Sequence, residues 1–237
     1  MVRFSLFGIP VVIHPWFWLT MSMLGGLLNA AVPDRFLNMC LFMFAGTISI
    51  LVHEFGHALT GRHLGGGFAH VELWAFGGLA YNEGGRFSRS QRFWMIAAGP
   101  GAGFLLGLLI LGLVCLFFGP RDGGSLFMLS VFNIRTGFSE STAEFLSDRI
   151  QLFRLINHFL WINFWWGVMN LLPVHPLDGG QISELFVRSK KRVHQIAVAA
   201  AGSVVAFALW RGDLYLGLLF GYLCWRNIQA AGAPSWK

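Results

Sequence analysis

The sequence predicts an all-α polytopic membrane protein of about six transmembrane helices, with a small β-hairpin or re-entrant element between the second and third spans. Three observations carry this expectation. The 237 residues are 55% hydrophobic and only 12% charged, and the mean hydropathy is +0.61, too apolar for a soluble domain that must solvate its surface. Apolar runs of about 20 residues, the length that crosses ~30 Å of hydrocarbon, recur along the chain. Between two of them lies a glycine-rich loop whose residues favour strands.

The first run, Val11–Val32, exceeds the 7 to 15 residues of a signal-peptide core, and only Arg3 precedes it, so it reads as a span. The second is Phe36–Leu59. The loop Gly65–Gly85 follows, and its FAHVELWAFGGLAY segment has β-forming residues and a Gly77-Gly78 break, suited either to a packing hairpin or to an edge that adds a peptide strand. The third span, Phe93–Phe118, carries Gly99, Gly103 and Gly107 at every fourth position, a stripe expected to let helices approach closely. Residues Gly119–Gln151 read as an external loop with a short amphipathic element.

The fourth span is Phe153–Leu172 and the fifth Val193–Trp210, with Ala197, Ala201 and Gly202 as small packing residues. A tight turn at Arg211-Gly212-Asp213 leads to a sixth, Leu214–Ala231, where Arg226 shortens the clean apolar core and is expected to snorkel to the surface. Residues 1–237 are read as one integral-membrane domain. Ten Trp and 24 Phe, among them Trp161, Trp165 and Trp166, suit lipid contact and interfacial belts. Cys40, Cys115 and Cys224 stand singly and read as small buried hydrophobes.

Basic residues orient the spans. With the termini on the side of the second and fourth loops, that side holds Arg3, Arg62, Arg86, Arg89, Arg92, Arg188, Lys190, Lys191, Arg192, Arg226 and Lys237. The other holds Arg35, Arg121, Arg135, Arg149 and Arg211, with Arg154 at the start of the fourth span. The termini are therefore expected in the cytoplasm. This bias and anionic headgroups account for the net charge of +6 and the pI near 9.8, and the scattered cations exclude nucleic acid as a partner.

Chemistry concentrates in HEFGH, where His53, Glu54 and His57 lie within an apolar run. An ionisable group at mid-helix costs about 2.5 to 3.5 kcal/mol on translocon scales, so such groups default to functional sites. Residues i and i+4 share a helix face, so both imidazoles can reach one ion, with Glu54 beside them as general base: the zinc-hydrolase pattern H-E-x-x-H.

Catalytic zinc takes three protein ligands and keeps a position open. Asp178 stands out as the third, because it follows the fourth span in NLLPVHPLDGG, where Pro173 and Pro176 end the helix and Gly179-Gly180 allow an unusual backbone path. Broken helix at membrane depth is tolerated only where protein buries it or it lines a cavity. The second and fourth spans run in the same direction and end in HEFGH and LDGG, so both motifs reach one membrane level. His175, in the same broken segment, and His14, before Pro15 at the first span, remain rival ligands. His63 and His70 read as solvated or backbone-bonded, and His194 as interfacial. Asn163 and Asn170, seven residues apart and on one face, with Asn157 and His158 about two turns earlier, form either a polar stripe toward the metal or interhelical hydrogen bonds.

These residues resemble the site-2 protease family of intramembrane zinc metalloproteases, in the compact form of the sporulation factor processing enzymes. HEFGH matches its H-E-x-x-H, and NLLPVHPLDGG its N-x-x-P-x-x-x-L-D-G element; FGIPVVIHP, ELWAFGGLAY and AAGP also match. The resemblance implies one zinc ion on His53, His57 and Asp178, Glu54 as catalytic acid and base, Asn170 near the substrate or oxyanion, and a membrane-spanning protein substrate cut in the bilayer, with room for a regulatory partner. After AAGP the chain reads GAGF, where many relatives carry an asparagine, which weakens any polar role for the third span. No inserted PDZ module or C-terminal CBS pair is expected. The competing classes are a zinc hydrolase of a non-peptide substrate, a catalytically silent homologue that binds membrane partners, and a zinc transporter, which would need ligands along several spans.

Overall fold

The computed structural model describes residues 1–29, 31–75 and 77–232. Phe76, within the glycine-rich loop, and Lys237, counted above among the basic residues, lie outside the described residues. Among the described residues the chain is mostly helical with one small sheet, and it divides into two compact units, Met1–Gly167 and Val168–Lys237.

The first unit opens with strands β1 (Val2–Leu6) and β2 (Ile9–Ile13), which pair antiparallel, Val2 opposite Ile13. Phe7 and Gly8 join them at φ 51° and 72°, and this double left-handed turn matches the twist of paired strands. Arg62 fastens the turn by donating from Nη1 to the Phe7 carbonyl at 3.0 Å. The expected first span therefore begins as a strand, and its helix α1 covers only Pro15–Leu24, before a 3-10 turn at Leu27–Asn29. Ile9–Ile13 is apolar at every position, without alternation, so periodicity alone does not separate a buried strand from a buried helix.

Helix α2 (Pro33–Gly65) starts on Pro33 with Asp34 in its first turn and ends with Arg62 and His63 in its last, charges that suit the helix dipole. Helix α1 runs back along it: Gly25 faces Met39, and Gly46 faces the Met21 side chain. Strands β3 (Phe68–Trp74) and β4 (Gly77–Glu83) follow. The expected hairpin is present and belongs to a four-stranded sheet of order β1-β2-β3-β4, because β3 also pairs in parallel with β2, Val11 opposite Val71. Ile9, Val11, Ile13, Val71 and Leu73 form one buried core with Phe17 and Met21 of α1 and Ile50, Phe55 and Ala58 of α2. Strands β1 and β4 are the sheet's edges.

Helix α3 (Arg89–Phe118) begins with a capping box between Ser88 and Gln91, and Gln91 Nε2 donates to the Leu64 carbonyl at 2.9 Å, tying its start to the end of α2. Leu105, Leu108, Leu109, Leu113 and Leu116 stand exposed along it, a face fit for lipid. The expected external loop holds two helices, α4 (Pro120–Phe132) and α5 (Glu140–Asp148). Buried Asp122 joins them, accepting from the Thr142 hydroxyl at 2.6 Å and from the Ser139 backbone at 3.2 Å. Helix α6 (Ile150–Asn170) follows, and Arg154 near its start pairs with Asp34 at 2.6 Å.

The second unit begins inside α6, at Val168. A run of tight turns from Leu171 to Leu177 leads to α7 (Asp178–Phe186), then α8 (Lys190–Arg211) and α9 (Leu214–Gly232). Gly212 caps α8 at φ 71°, and α8 and α9 form a helical hairpin around Ala201, Phe220 and Leu223, as the sequence predicts. Among the described residues three helices, α2, α3 and α8, are long and apolar enough to cross a membrane. Helices α6 and α9 have crossing length, but Asn157, His158 and Asn163 on one and Arg226 and Asn227 on the other lower their hydropathy. The three cysteines are free thiols.

Candidate metal centre

Helix α2 carries HEFGH without a break, so His53 and His57 share its face one turn apart. His53 and Glu54 are buried at 3% and 4% exposure, and His57 is partly buried. The imidazole planes meet at 77° with centroids 4.9 Å apart, and the two Nε2 atoms face each other at 3.2 Å. Two zinc–nitrogen bonds of about 2.0–2.1 Å at a tetrahedral angle would set their nitrogens roughly 3.3 Å apart, so the pair is spaced as zinc ligands are. His57 Nδ1 lies 2.9 Å from the Met95 carbonyl of α3. A carbonyl only accepts, so His57 holds its proton on Nδ1 and turns a bare Nε2 lone pair toward His53, as a metal-binding histidine does.

Helix α3 supplies this support by coming close. Gly56 of α2 abuts Ala98 and Ala102, and a Cβ on Gly99 would run into the His57 ring. Pro100, inside α3, cannot donate to the Ile96 carbonyl and loosens the helix ladder beside Met95. Gly103 and Gly107 face Asn163, and Gly103 also faces His53. The stripe expected to serve packing alone thus lines the histidine pair.

The sheet reaches the same motif through β4. Gly78 of β4 lies against Glu54, and a Cβ there would sit 2.5 Å from both Cδ and Oε1 of that carboxylate. Gly77 at φ 124° lies against the Trp166 ring. The Gly77-Gly78 pair therefore lets an edge strand run past the acid.

In the second unit, Asp178 is the first residue of α7 and is buried at 6% exposure; Asn170 ends α6 and is buried at 9%. Gly179 and Gly180 press on the preceding turn, where a Cβ would meet the Leu171 and Leu172 carbonyls or, 2.5 Å away, the His175 nitrogen. The LDGG spelling follows from that packing. Asn227 of α9 donates to the His175 carbonyl at 2.7 Å and to the Leu223 carbonyl at 2.8 Å, and its Oδ1 lies 2.8 Å from His194 Nδ1. His194, expected at the interface, thus helps clamp the loop before Asp178. Neither this clamp nor Asn227 was visible in the sequence, since each depends on contacts distant along the chain.

The rival ligands have other neighbours. His175 Nε2 lies 3.3 Å from Glu184 Oε1, and His14 Nε2 lies 3.7 Å from Glu72 Oε2. His70 stacks on Tyr81 across the β3–β4 pair, centroids 4.6 Å apart, and His158 Nε2 lies 3.0 Å from Asn38 Oδ1.

An H-E-x-x-H pair oriented by a carbonyl and buried on an apolar helix defines a centre of the metallopeptidase type. The chain belongs to peptidase family M50, whose model matches residues 41–211. It is 23% identical over 222 residues to a zinc metalloprotease of Methanocaldococcus jannaschii, covering 93% of this chain and 53% of that one. Rip3 of Mycobacterium tuberculosis is 29% identical over 77% of this chain and 43% of its own length. The chain spans about half the length of the curated relatives it matches. In fold it is similar to the solved site-2 protease from Methanocaldococcus jannaschii, with a TM-score of 0.58 and 20% identity over all of this chain and 97% of the other.

Proposed function

We propose that the chain is an intramembrane zinc endopeptidase that hydrolyses peptide bonds in or near transmembrane segments of membrane proteins. The observation that carries this reading is Gly78 of the edge strand β4 packed against the Glu54 carboxylate. An edge strand offers unpaired backbone donors and acceptors, and an unwound substrate segment added to it gains a ladder partner while its peptide bonds pass the acid. A non-peptide substrate has no use for such an edge.

His53, His57 and Asp178 would hold one zinc ion, a donor set of two imidazoles and a carboxylate, and residues 1–237 act as one protease domain. When bound, zinc polarises the scissile carbonyl and lowers the pKa of a water toward about 7. Glu54 takes the proton of the attacking water and delivers it to the leaving amine nitrogen as the C–N bond breaks. Asn170 donates its amide N–H to the substrate or to the oxyanion that develops on the carbonyl oxygen. The buried walls of α2 and α3 exclude bulk water from this exchange.

The protein is multi-pass, with six crossings: β2 leading into α1, then α2, α3, α6, α8 and α9. The strand portion is tolerated because β1 and β3 satisfy its backbone. The basic-residue bias puts the termini and the centre toward the cytoplasmic side of a bacterial-type plasma membrane. Partners are the lipid bilayer and the transmembrane substrate.

The test compares wild type with Glu54→Gln beside a co-expressed membrane substrate. Both proteins should retain zinc, and fragments cut within a span should appear in the membrane proteome with wild type alone. Undiminished cleavage by the variant overturns the mechanism.

A further inference from the structure

We infer that Asn163 is a positioning residue for His53, its Oδ1 accepting through one bridging water the hydrogen bond of the proton on Nδ1, so that Nε2 is presented to the metal. The inference rests on the zinc site proposed above. Asn163 is buried on α6 at 2% exposure. Its Nδ2 donates to Ser49 Oγ at 2.9 Å and to the Phe159 carbonyl at 2.8 Å. The carbonyl cannot donate, so the nitrogen end of the amide is fixed there and the oxygen must point the other way. Ser49 precedes His53 by one turn of α2, so the side chain it holds addresses the histidine's own face.

Asn163 Oδ1 has no hydrogen-bond partner among the described residues. The point where a Cβ would project from Gly103 is 3.7 Å from that oxygen and 4.0 Å from His53 Nδ1. The two atoms therefore flank one hollow, which glycine keeps open. His53 Nε2 faces His57, so as a metal ligand His53 must carry its ring proton on Nδ1, where it needs an acceptor. A buried acceptor with capacity to spare stands across the hollow.

Partners of this kind orient metal-ligating histidines, and removing one typically lowers metal affinity by about 10- to 100-fold. The test uses the full chain in lipid nanodiscs, with zinc titrated against a chelator and the visible spectrum of the cobalt-substituted protein recorded. Asn163→Leu should weaken zinc binding by about 10- to 100-fold and shift the cobalt bands, while Asn163→Asp, which keeps an acceptor, should restore most of both. Wild-type affinity and spectrum in Asn163→Leu, or no rescue by Asn163→Asp, overturns the inference. A measurement on wild type covers a leucine variant that fails to fold: with ¹⁵N-labelled histidine, the zinc-loaded protein should show a His53 Nδ1 proton that exchanges slowly with water, and fast exchange overturns the inference. The underlying zinc reading fails separately, if His53→Ala binds zinc as wild type does.

Discussion

Gly78 and Glu54 are fitted so closely that a methyl group on the strand would stand 2.5 Å from the carboxylate carbon. Glycine at this position is the condition for the acid and the edge strand to meet. Gly78→Ala is therefore expected to push Glu54 aside while leaving both histidines in place. A misplacement of about 1 Å can cost a factor of roughly 100 in rate, so cleavage of a membrane substrate should fall by about that factor with zinc content unchanged. Wild-type cleavage would separate the strand from the chemistry.

Gly99→Ala gives a test with an unusual sign. By helix propensity alone the change should stabilise α3 by up to about 1 kcal/mol. The His57 ring occupies the space the methyl needs, so the expected outcome is lost zinc affinity, measured by competition with a chelator. A variant that binds zinc as wild type does would place the ring elsewhere.

Asp178→Ala should lower the zinc stoichiometry measured on purified protein by atomic emission. Unchanged stoichiometry would return the third ligand to His175 or His14, although each of these has an acidic neighbour in the fold, Glu184 and Glu72 respectively.

The α4–α5 junction should be acid-sensitive. The Ser139 and Thr142 hydrogen bonds hold the Asp122 carboxyl below its ordinary value of 3.8. A depressed folded-state pKa contributes stability that is fully present above the unfolded value and is lost as pH falls through the folded one. Hydrogen exchange in residues 119–148 should thus be flat from pH 7 to about 5, after correction for intrinsic rates, and protection should fall below about pH 4. Asp122→Asn should flatten that acid limb.

Much of the centre was legible in the sequence because HEFGH sits on one uninterrupted helix, where i and i+4 fix a shared face regardless of the rest of the fold. The glycines beside Asp178 were equally readable as a backbone demand, although the demand proved to be close packing on Leu171, Leu172 and His175. What escaped was set by distant pairing. Val11 to Ile13 read as the start of a span, since nothing local marks an apolar strand whose partners are β1 and a segment sixty residues on. Asn163 stayed open between a polar stripe and interhelical hydrogen bonding, and His194 read as interfacial, because Ser49 and Asn227, the groups they meet, lie on other helices. The glycine stripe of α3 was seen, but its neighbours His57, Asn163 and His53 were not.

The parallel pairing of Val11 with Val71 also orders the protein's biogenesis. At the ribosome, β1 and β2 emerge before β3 and can close their own hairpin, yet one side of β2 stays open until α1 and α2 have been made and β3 follows. Non-local strand pairing is slow, and an unpaired edge invites wrong partners. The sheet therefore closes only after the helix bearing both histidines is complete, and a nascent chain that has not yet reached Gly77 carries the HEFGH motif without β4, the strand that runs beside its glutamate.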